Sequence, residues 1–227
     1  MDFTDAGQPD PPRAPSSEVL ATLCQDLERR AEEVPGISAG EVARLRAAVA
    51  SYAESFGVEF SEEQDHFKLV GQDNVRRYLP VRELRVRVHP DDTPFDVFAR
   101  VCAGRTVGCR VTVSLSPHAS SPGLKVLEEL TETWAGDIEF VEESDEQLAQ
   151  VVRDRQTDRL RYAAPDRAPE GVLRAAADAG VAVLRSPVLI EGRVELLWYL
   201  QEQSLSIDYH RYGNLGTRAS EDRATVG

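Results

Sequence analysis

A chain of 227 residues can bury one substantial core, and 41% apolar with 29% charged residues is the composition of a globular protein. Its 39 acidic against 26 basic residues, a net charge of −13, repel a phosphate backbone and exclude a general nucleic-acid binder. Only two lysines occur, Lys68 and Lys125, so nearly all the positive charge is guanidinium, which suits fixed carboxylate pairing. Cys24, Cys102 and Cys109 lack metal-type spacing and follow no leader-like segment, which points to a cytoplasmic setting. No stretch approaches the roughly 20 apolar residues of a membrane span.

Residues 1–16, rich in proline and small polar residues, read as a disordered arm. From Ser17 the positions Val19, Leu20, Leu23, Cys24, Leu27 and Ala31 follow helical spacing up to Pro35-Gly36. Ser38 and Glu41 form a capping-box pattern ahead of a second stripe, Val42, Leu45, Val49, Tyr52 and Phe56. Together these predict a helical hairpin over 17–60. Residues 61–82 show no clear period and are expected to be a connecting segment.

Over 83–187 the pattern alternates between strand and helix. Leu84, Val86 and Val88 alternate with Arg85 and Arg87, as in a half-buried strand, and Asp91-Asp92 reads as capping ahead of Thr93-Pro94 and a helix ending near Gly104. Further strands are expected at 109–115, 138–141, 160–163 and 181–184, with helices at 124–134, around 148–152 and at 169–179. Such alternation with short connections predicts an α/β, Rossmann-like unit with a mainly parallel sheet and flanking helices. Val188 to Trp198 then reads as a β-hairpin turning at Glu191-Gly192. It leads into an extended C-terminal tail within 188–218, and residues 219–227 read as a disordered end.

Charge is uneven along this unit. Glu128 to Glu146 holds nine acids and no base, while Arg76 to Arg110 holds eight arginines and four acids. A solvated acidic helix face accounts for the first run, and a basic strip facing an acidic partner is the sharper reading of the second.

Glycines in neither a dinucleotide nor a P-loop pattern leave no stretch in which backbone amides close on a pyrophosphate. The weak candidates for cofactor contact are Ser116, His118, Ser120 and Ser121, in the hydroxyl-rich loop after the second strand of the unit. Cys102 and Cys109 fall on inward positions, and His66, His89, His118 and His210 have no second ligand at i+2 to i+4. The expectation is therefore no catalytic residue, no metal site and no bound cofactor in this chain.

The tail is dense in side chains that make directed contacts. Gly71-Gln-Asp-Asn-Val-Arg-Arg-Tyr-Leu-Pro80, Glu202-Gln-Ser-Leu-Ser206 and His210-Arg-Tyr-Gly-Asn-Leu-Gly216 resemble the C-terminal region of proline utilization A. That family joins proline dehydrogenase to L-glutamate-γ-semialdehyde dehydrogenase. The resemblance runs from about Ala47 to Arg218. It implies a non-catalytic domain similar to the cofactor domain of the aldehyde dehydrogenase superfamily, with a hairpin and C-terminal motif that dock on the dehydrogenase module and help close its substrate-channelling cavity. Val113-Ser-Leu-Ser-Pro117 stands where a cofactor-binding member would carry a lysine before proline, so Ser116 replaces that cation.

The docking residues this implies are Gln203, Ser204, Ser206, Tyr209, His210, Arg211, Tyr212, Gly213, Asn214 and Leu215. The implied partner is the semialdehyde dehydrogenase module, here separate, with self-association through the hairpin as a second expectation. The alternative is a remnant of an aldehyde dehydrogenase that holds NAD or a metabolite near Ser116 to Ser121, or a truncated product of such an enzyme.

Overall fold

The computed structural model describes residues 17–34, 37–117, 119–121, 123–134, 136–210, 213–221 and 223. Two helices come first, α1 (Ser17–Arg29) and α2 (Ala39–Ser55), and Ser38 caps the second by accepting from the Glu41 amide at 3.2 Å. After a π-helical turn (Phe56–Phe60) come the short strand β1 (Gln64–Asp65) and the nine-residue β2 (Gln72–Pro80). The alternating unit follows as β3 (Glu83–Val88), α3 (Pro94–Val107), β4 (Arg110–Leu115), α4 (Leu124–Leu130) and β5 (Ile138–Glu142). It continues through α5 (Asp145–Arg153), β6 (Arg159–Arg161), α6 (Glu170–Ala179) and β7 (Ala182–Leu184). The chain closes with the single turn α7 (Gly192–Glu195), a 3-10 turn (Leu196–Tyr199) and β8 (Leu200–Asp208).

β3 to β7 form a wholly parallel sheet in the order β5-β4-β3-β6-β7. The chain steps outward from β3 through β4 to β5, then returns across the sheet to β6 and β7. Right-handed crossovers place α3 and α4 on one face and α5 and α6 on the other. The two faces are buried differently. Leu84, Val86, Val88, Val111 and Val113 pack with α3 and the α1–α2 hairpin into one large apolar core, and a smaller cluster joins α5 and α6 to Leu160 and Tyr162.

Several expectations are corrected here. β3 is central and covered on both faces, so Arg85 and Arg87 are buried instead of facing solvent. Asp92 does not cap α3; that is done by Thr93, which accepts from the Asp96 amide, while the Asp92 side chain is fully buried. α3 runs past Gly104 to Val107 and ends at the left-handed Gly108 (φ 93°). Gly104 is needed for close approach, since a Cβ there would lie 2.6 Å from Leu84 Cδ2. α3 lies between the sheet and α2 and is buried on every side, which hides any stripe.

The hairpin expected at Glu191-Gly192 is absent. Glu191 caps a helical turn instead, accepting from the Arg193 amide at 3.3 Å. Gly192 meets α2 there, and a Cβ on it would fall 2.4 Å from the Ser51 carbonyl oxygen. The antiparallel partner of β8 is β2, within the supposed connector, in an unbroken register from Gln72↔Asp208 to Pro80↔Leu200. With β1 these strands make a second, three-stranded sheet in the order β1-β2-β8.

Candidate functional site

A parallel sheet whose strand order reverses leaves a crevice beyond the strand ends, here between β3 and β6. A cavity of about 380 Å³ occupies it, lined by Arg87, His89, Ser116, Asp145, Asp166 and Arg167 among others. Arg87 reaches the crevice floor because it sits one residue before the end of β3. Its guanidinium is engaged through both terminal nitrogens, donating to Ser114 Oγ (3.0 Å), Ser116 Oγ (2.6 Å), the Glu143 carbonyl (3.1 Å) and Asp145 Oδ1 (2.8 Å). Ser116, the described hydroxyl nearest the expected ligand position, is thus committed to the protein's own cation.

Below that layer Asp92 pairs with Arg100 and Arg167 and accepts from the His89 amide at 3.1 Å. Arg85 pairs with Glu143 at 2.8 Å and Arg105 with Asp137 at 2.6 Å. Three arginines of the arginine-rich stretch, Arg85, Arg87 and Arg105, are thus paired with acids of the acid-rich one, and Arg100 is buried against Asp92, which corrects the reading of a basic strip aimed at an acidic partner. Behind β6, Arg161 donates to Glu195 Oε1 (2.9 Å), and Glu195 also accepts from Tyr199 Oη (2.7 Å) and the Leu189 amide (2.9 Å). Tyr52 of α2 donates to the Leu189 carbonyl at 2.5 Å, completing a buried link from sheet to helical hairpin.

Burial pushes the thiol of Cys24 up to about 11 and that of Cys109 up to about 12, and raises Cys102 as well, so all three are held as thiols. Burial likewise raises the Tyr162 phenol. Among the described residues no group of three or more potential metal ligands is close enough to hold an ion, and no helix is long and apolar enough to cross a membrane.

The second concentration of chemistry lies at the tip of the β2–β8 ribbon. The Tyr209 amide donates to the Gly71 carbonyl at 2.9 Å, and His210 Nδ1 lies 3.0 Å from the same oxygen. Asp73 accepts two bonds from Arg218, at 2.8 and 3.0 Å, and a third contact from Arg223, which also reaches Asp65 at 3.1 Å. The Arg218 guanidinium lies 3.8 Å over the Tyr209 ring. Arg218 is the main reason the Asp73 carboxyl titrates below its ordinary value, with Arg223 adding to it. This clasp ties the tail to β1 and β2; in the β1–β2 turn Phe67 and Val70 are 65% and 68% exposed, and Ile207 of β8 is 52% exposed.

Of the expected docking residues, Gln203 accepts from Arg77 Nε at 2.5 Å and Ser206 donates to Asn74 Oδ1 at 2.8 Å, both across the ribbon. Ser204 is exposed opposite Arg76, Asn214 accepts from the Gly216 amide at 2.9 Å, Gly213 is exposed at φ 79°, and Leu215 is half-buried. Arg211 and Tyr212 lie outside the described residues. Ser120 is exposed, Ser121 Oγ is buried with no partner among the described residues, and His118 lies outside them. Asp73, Arg218 and Arg223 were not singled out from the sequence. The only signal for them was the density of opposite charges at two distant points.

No family model and no curated protein matches the chain. Among solved structures it is similar to proline utilization A from Corynebacterium freiburgense, with 23% identity and a TM-score of 0.53 over 91% of this chain and 16% of that one. It is also similar to an NAD-dependent aldehyde dehydrogenase from Sinorhizobium meliloti, with 18% identity and a TM-score of 0.59 over 74% of this chain and 36% of that one. A betaine aldehyde dehydrogenase from Staphylococcus aureus, in complex with NAD, gives 10% identity and a TM-score of 0.58 over 74% and 36%. The chain spans well under half the length of each.

Such a fold implies NAD, and the strand-end residues do not fit it. Both terminal nitrogens of Arg87 are held by internal acceptors, and the acidic residues Asp145 and Asp166 line the cavity where a pyrophosphate would need donors. The chain carries an α/β, Rossmann-like fold of the kind found in the aldehyde dehydrogenases.

Proposed function

We propose that this chain is a non-catalytic accessory module of a proline-catabolic system of the proline utilization A kind. It docks on the L-glutamate-γ-semialdehyde dehydrogenase module in the cytoplasm and helps close the cavity through which the intermediate passes. The Rossmann-like unit at 83–187 is the scaffold, and the ribbon of β2 and β8 with its clasped tail is the docking element. The observation that carries this reading is the ribbon tip, where Tyr209 and His210 are held by the Gly71 carbonyl and Arg218 while Phe67 and Val70 of the β1–β2 turn and Ile207 of β8 are left exposed. Aromatic and arginine side chains around an apolar centre are what protein interfaces use as anchors. The structural likeness to proline utilization A, which extends over 91% of the chain, supports the choice of partner.

Removing β8 would take away the partner of β2, so the test uses surface substitutions. Phe67→Ser combined with Val70→Ser, in the full chain, is expected to weaken binding to a purified semialdehyde dehydrogenase at least tenfold while the circular dichroism spectrum stays unchanged. Equal binding by the variant and the original chain, or no binding by either, would sink the proposal.

A further inference from the structure

A cavity of about 530 Å³, larger than the strand-end crevice, lies between the helical hairpin and the root of the ribbon. One wall is helical. Ser51, Glu54, Ser55 and Val58 are spaced three and four residues apart, so they share a face that runs from the end of α2 into the π-helical turn. In that turn the Ser61 amide donates to the Phe56 carbonyl at 2.9 Å, one residue further back than in an α-helix. Such turns are rare and frequently mark functional sites. The facing wall is strand, where Gln64 of β1 and Arg76 of β2 are directly paired. Arg76 lies two residues before Tyr78 and so on the same face of β2, the face whose Tyr78 ring packs edge-on against the buried Phe60 at 4.9 Å. Its side chain is thereby turned toward the helices. Glu191 and Arg193 of the α7 turn complete the lining.

The charges in this cavity are not all matched. The neighbouring Arg77 is answered by Glu63 and Gln203. Arg76 is not answered: among the described residues its guanidinium makes no hydrogen bond and no ion pair, and it lies 5.5 Å over the Tyr78 ring. On the helical wall the Glu54 carboxylate is in the same condition, as are the Ser55 hydroxyl and, beside Arg76, the Gln64 amide. The other groups are committed within the protein. Arg193 Nε lies 2.8 Å from Glu59 Oε2, the Glu191 carboxylate accepts from the Arg193 amide at 3.3 Å, and Ser51 Oγ accepts from the Gly192 amide at 2.9 Å.

An unmatched cation and an unmatched anion on facing walls select a ligand. A phosphate or other polyanion would meet Glu54, Glu59 and Glu191, and a polyamine would meet Arg76 and Arg193. A molecule with one carboxylate and one ammonium answers both walls, because a guanidinium grips a carboxylate as a fork and a carboxylate accepts from an ammonium. Ser55 and Gln64 add donors and acceptors, and Val58, 77% exposed, offers an apolar contact. We propose that this cavity is a binding site for a small zwitterion, a free α-amino acid, with its carboxylate on Arg76 and its ammonium on Glu54. Occupancy ties the root of the ribbon to α2. It is measured on the chain alone and stands apart from docking on the dehydrogenase, so the two can fail separately.

Thermal unfolding of the full chain with each protein L-amino acid at roughly 10 mM, enough to saturate a site with a dissociation constant of about 1 mM, should single out one or a few that raise the midpoint. In isothermal titration the best of these should lose about tenfold or more in affinity when its ammonium is acetylated, when its carboxylate is amidated, and in Arg76→Gln or Glu54→Gln. Circular dichroism should be unchanged in both variants, since neither side chain holds a contact inside the fold. A chain that no amino acid stabilises, or an affinity left unchanged by any one of these changes, would overturn the proposal. So would inorganic phosphate that binds as tightly as the amino acid and is lost in Arg76→Gln, because the site would then read an anion alone.

Discussion

Arg161 and Glu195 lie wholly inside the protein, with both side chains 0% exposed, whereas Arg218 and Asp73 form the same kind of pair at 33% and 19% exposure. The inner pair is surrounded by further bonds, to Tyr199, the Leu189 amide and the Ser186 carbonyl, and it joins β6 to the segment after β7. The outer pair joins the tail to one turn of the ribbon. Desolvation makes the difference. Buried ions are held only while every partner is present, and removal of one leaves an uncompensated charge, whereas water screens and replaces the outer pair. The inner pair therefore fixes the architecture, and the outer one can only set the shape of a surface.

The largest effect that would break this contrast is expected from Glu195→Ala. It strands Arg161 in the core and strips the Leu189 amide and the Tyr199 hydroxyl of their acceptor. A loss of about 3–5 kcal/mol in urea-induced unfolding is expected. A loss no larger than that of a surface substitution would show that the pair is not the inner fastening described here. Next in size is Gly192→Ala. Its Cβ would fall 2.4 Å from the Ser51 carbonyl oxygen, a backbone atom that cannot swing aside. A cost of about 1–3 kcal/mol, typical of overpacking, should appear in the same titration. A neutral result would mean that α7 does not press on α2.

The same contrast explains which parts of the structure were legible in the sequence. All five strands of the parallel sheet and the helices between them are anticipated from the spacing of residues such as Val111, Val113 and Val172, and burial against one face writes that period most clearly into α5 and α6, while α3, buried on every side, runs past its expected end. The buried arginines could not be read that way. Arg85 and Arg87 occupy alternate positions, as solvent-facing residues would, and only the distant Glu143 and Asp145 make their burial tolerable. β2 and β8 were misassigned for a related reason. Most of the ribbon is half-buried or exposed on both faces, so no period marks it, and its pairing partner lies more than a hundred residues away. Of the candidate sites, the tail was visible as a density of His, Tyr and Arg. The residues that hold it, Asp65 in β1 and Asp73 in β2, were not, since their arginine partners lie 145 to 158 residues further along the chain.

At the outer end of the scale, Asp73→Asn is expected to leave the urea midpoint near that of the original chain while freeing the tail, because screened pairs contribute little to global stability. Heteronuclear NMR would show this as altered shifts confined to residues around Gly71, Tyr209 and Arg218. Shifts spreading into β3 or α3 would contradict the division drawn here.

The smallest effect is the dependence of the clasp on pH. Arg218, and after it Arg223, lower the Asp73 carboxyl below its ordinary value of 3.8, so the folded state binds this proton more weakly than the unfolded one. Stability from such a group is fully present above the unfolded value and is lost as pH falls through the folded one. The tail should therefore stay clasped throughout the neutral and mildly acidic range and loosen only below 3.8. Titration of the Asp73 carboxyl carbon by NMR should give a midpoint below 3.8 in the original chain, moving up toward that value in Arg218→Ala. A midpoint already at 3.8 with Arg218 in place would mean that the guanidinium does not sit on the carboxylate in solution, and the ribbon tip would then lack the fixed surface that docking requires.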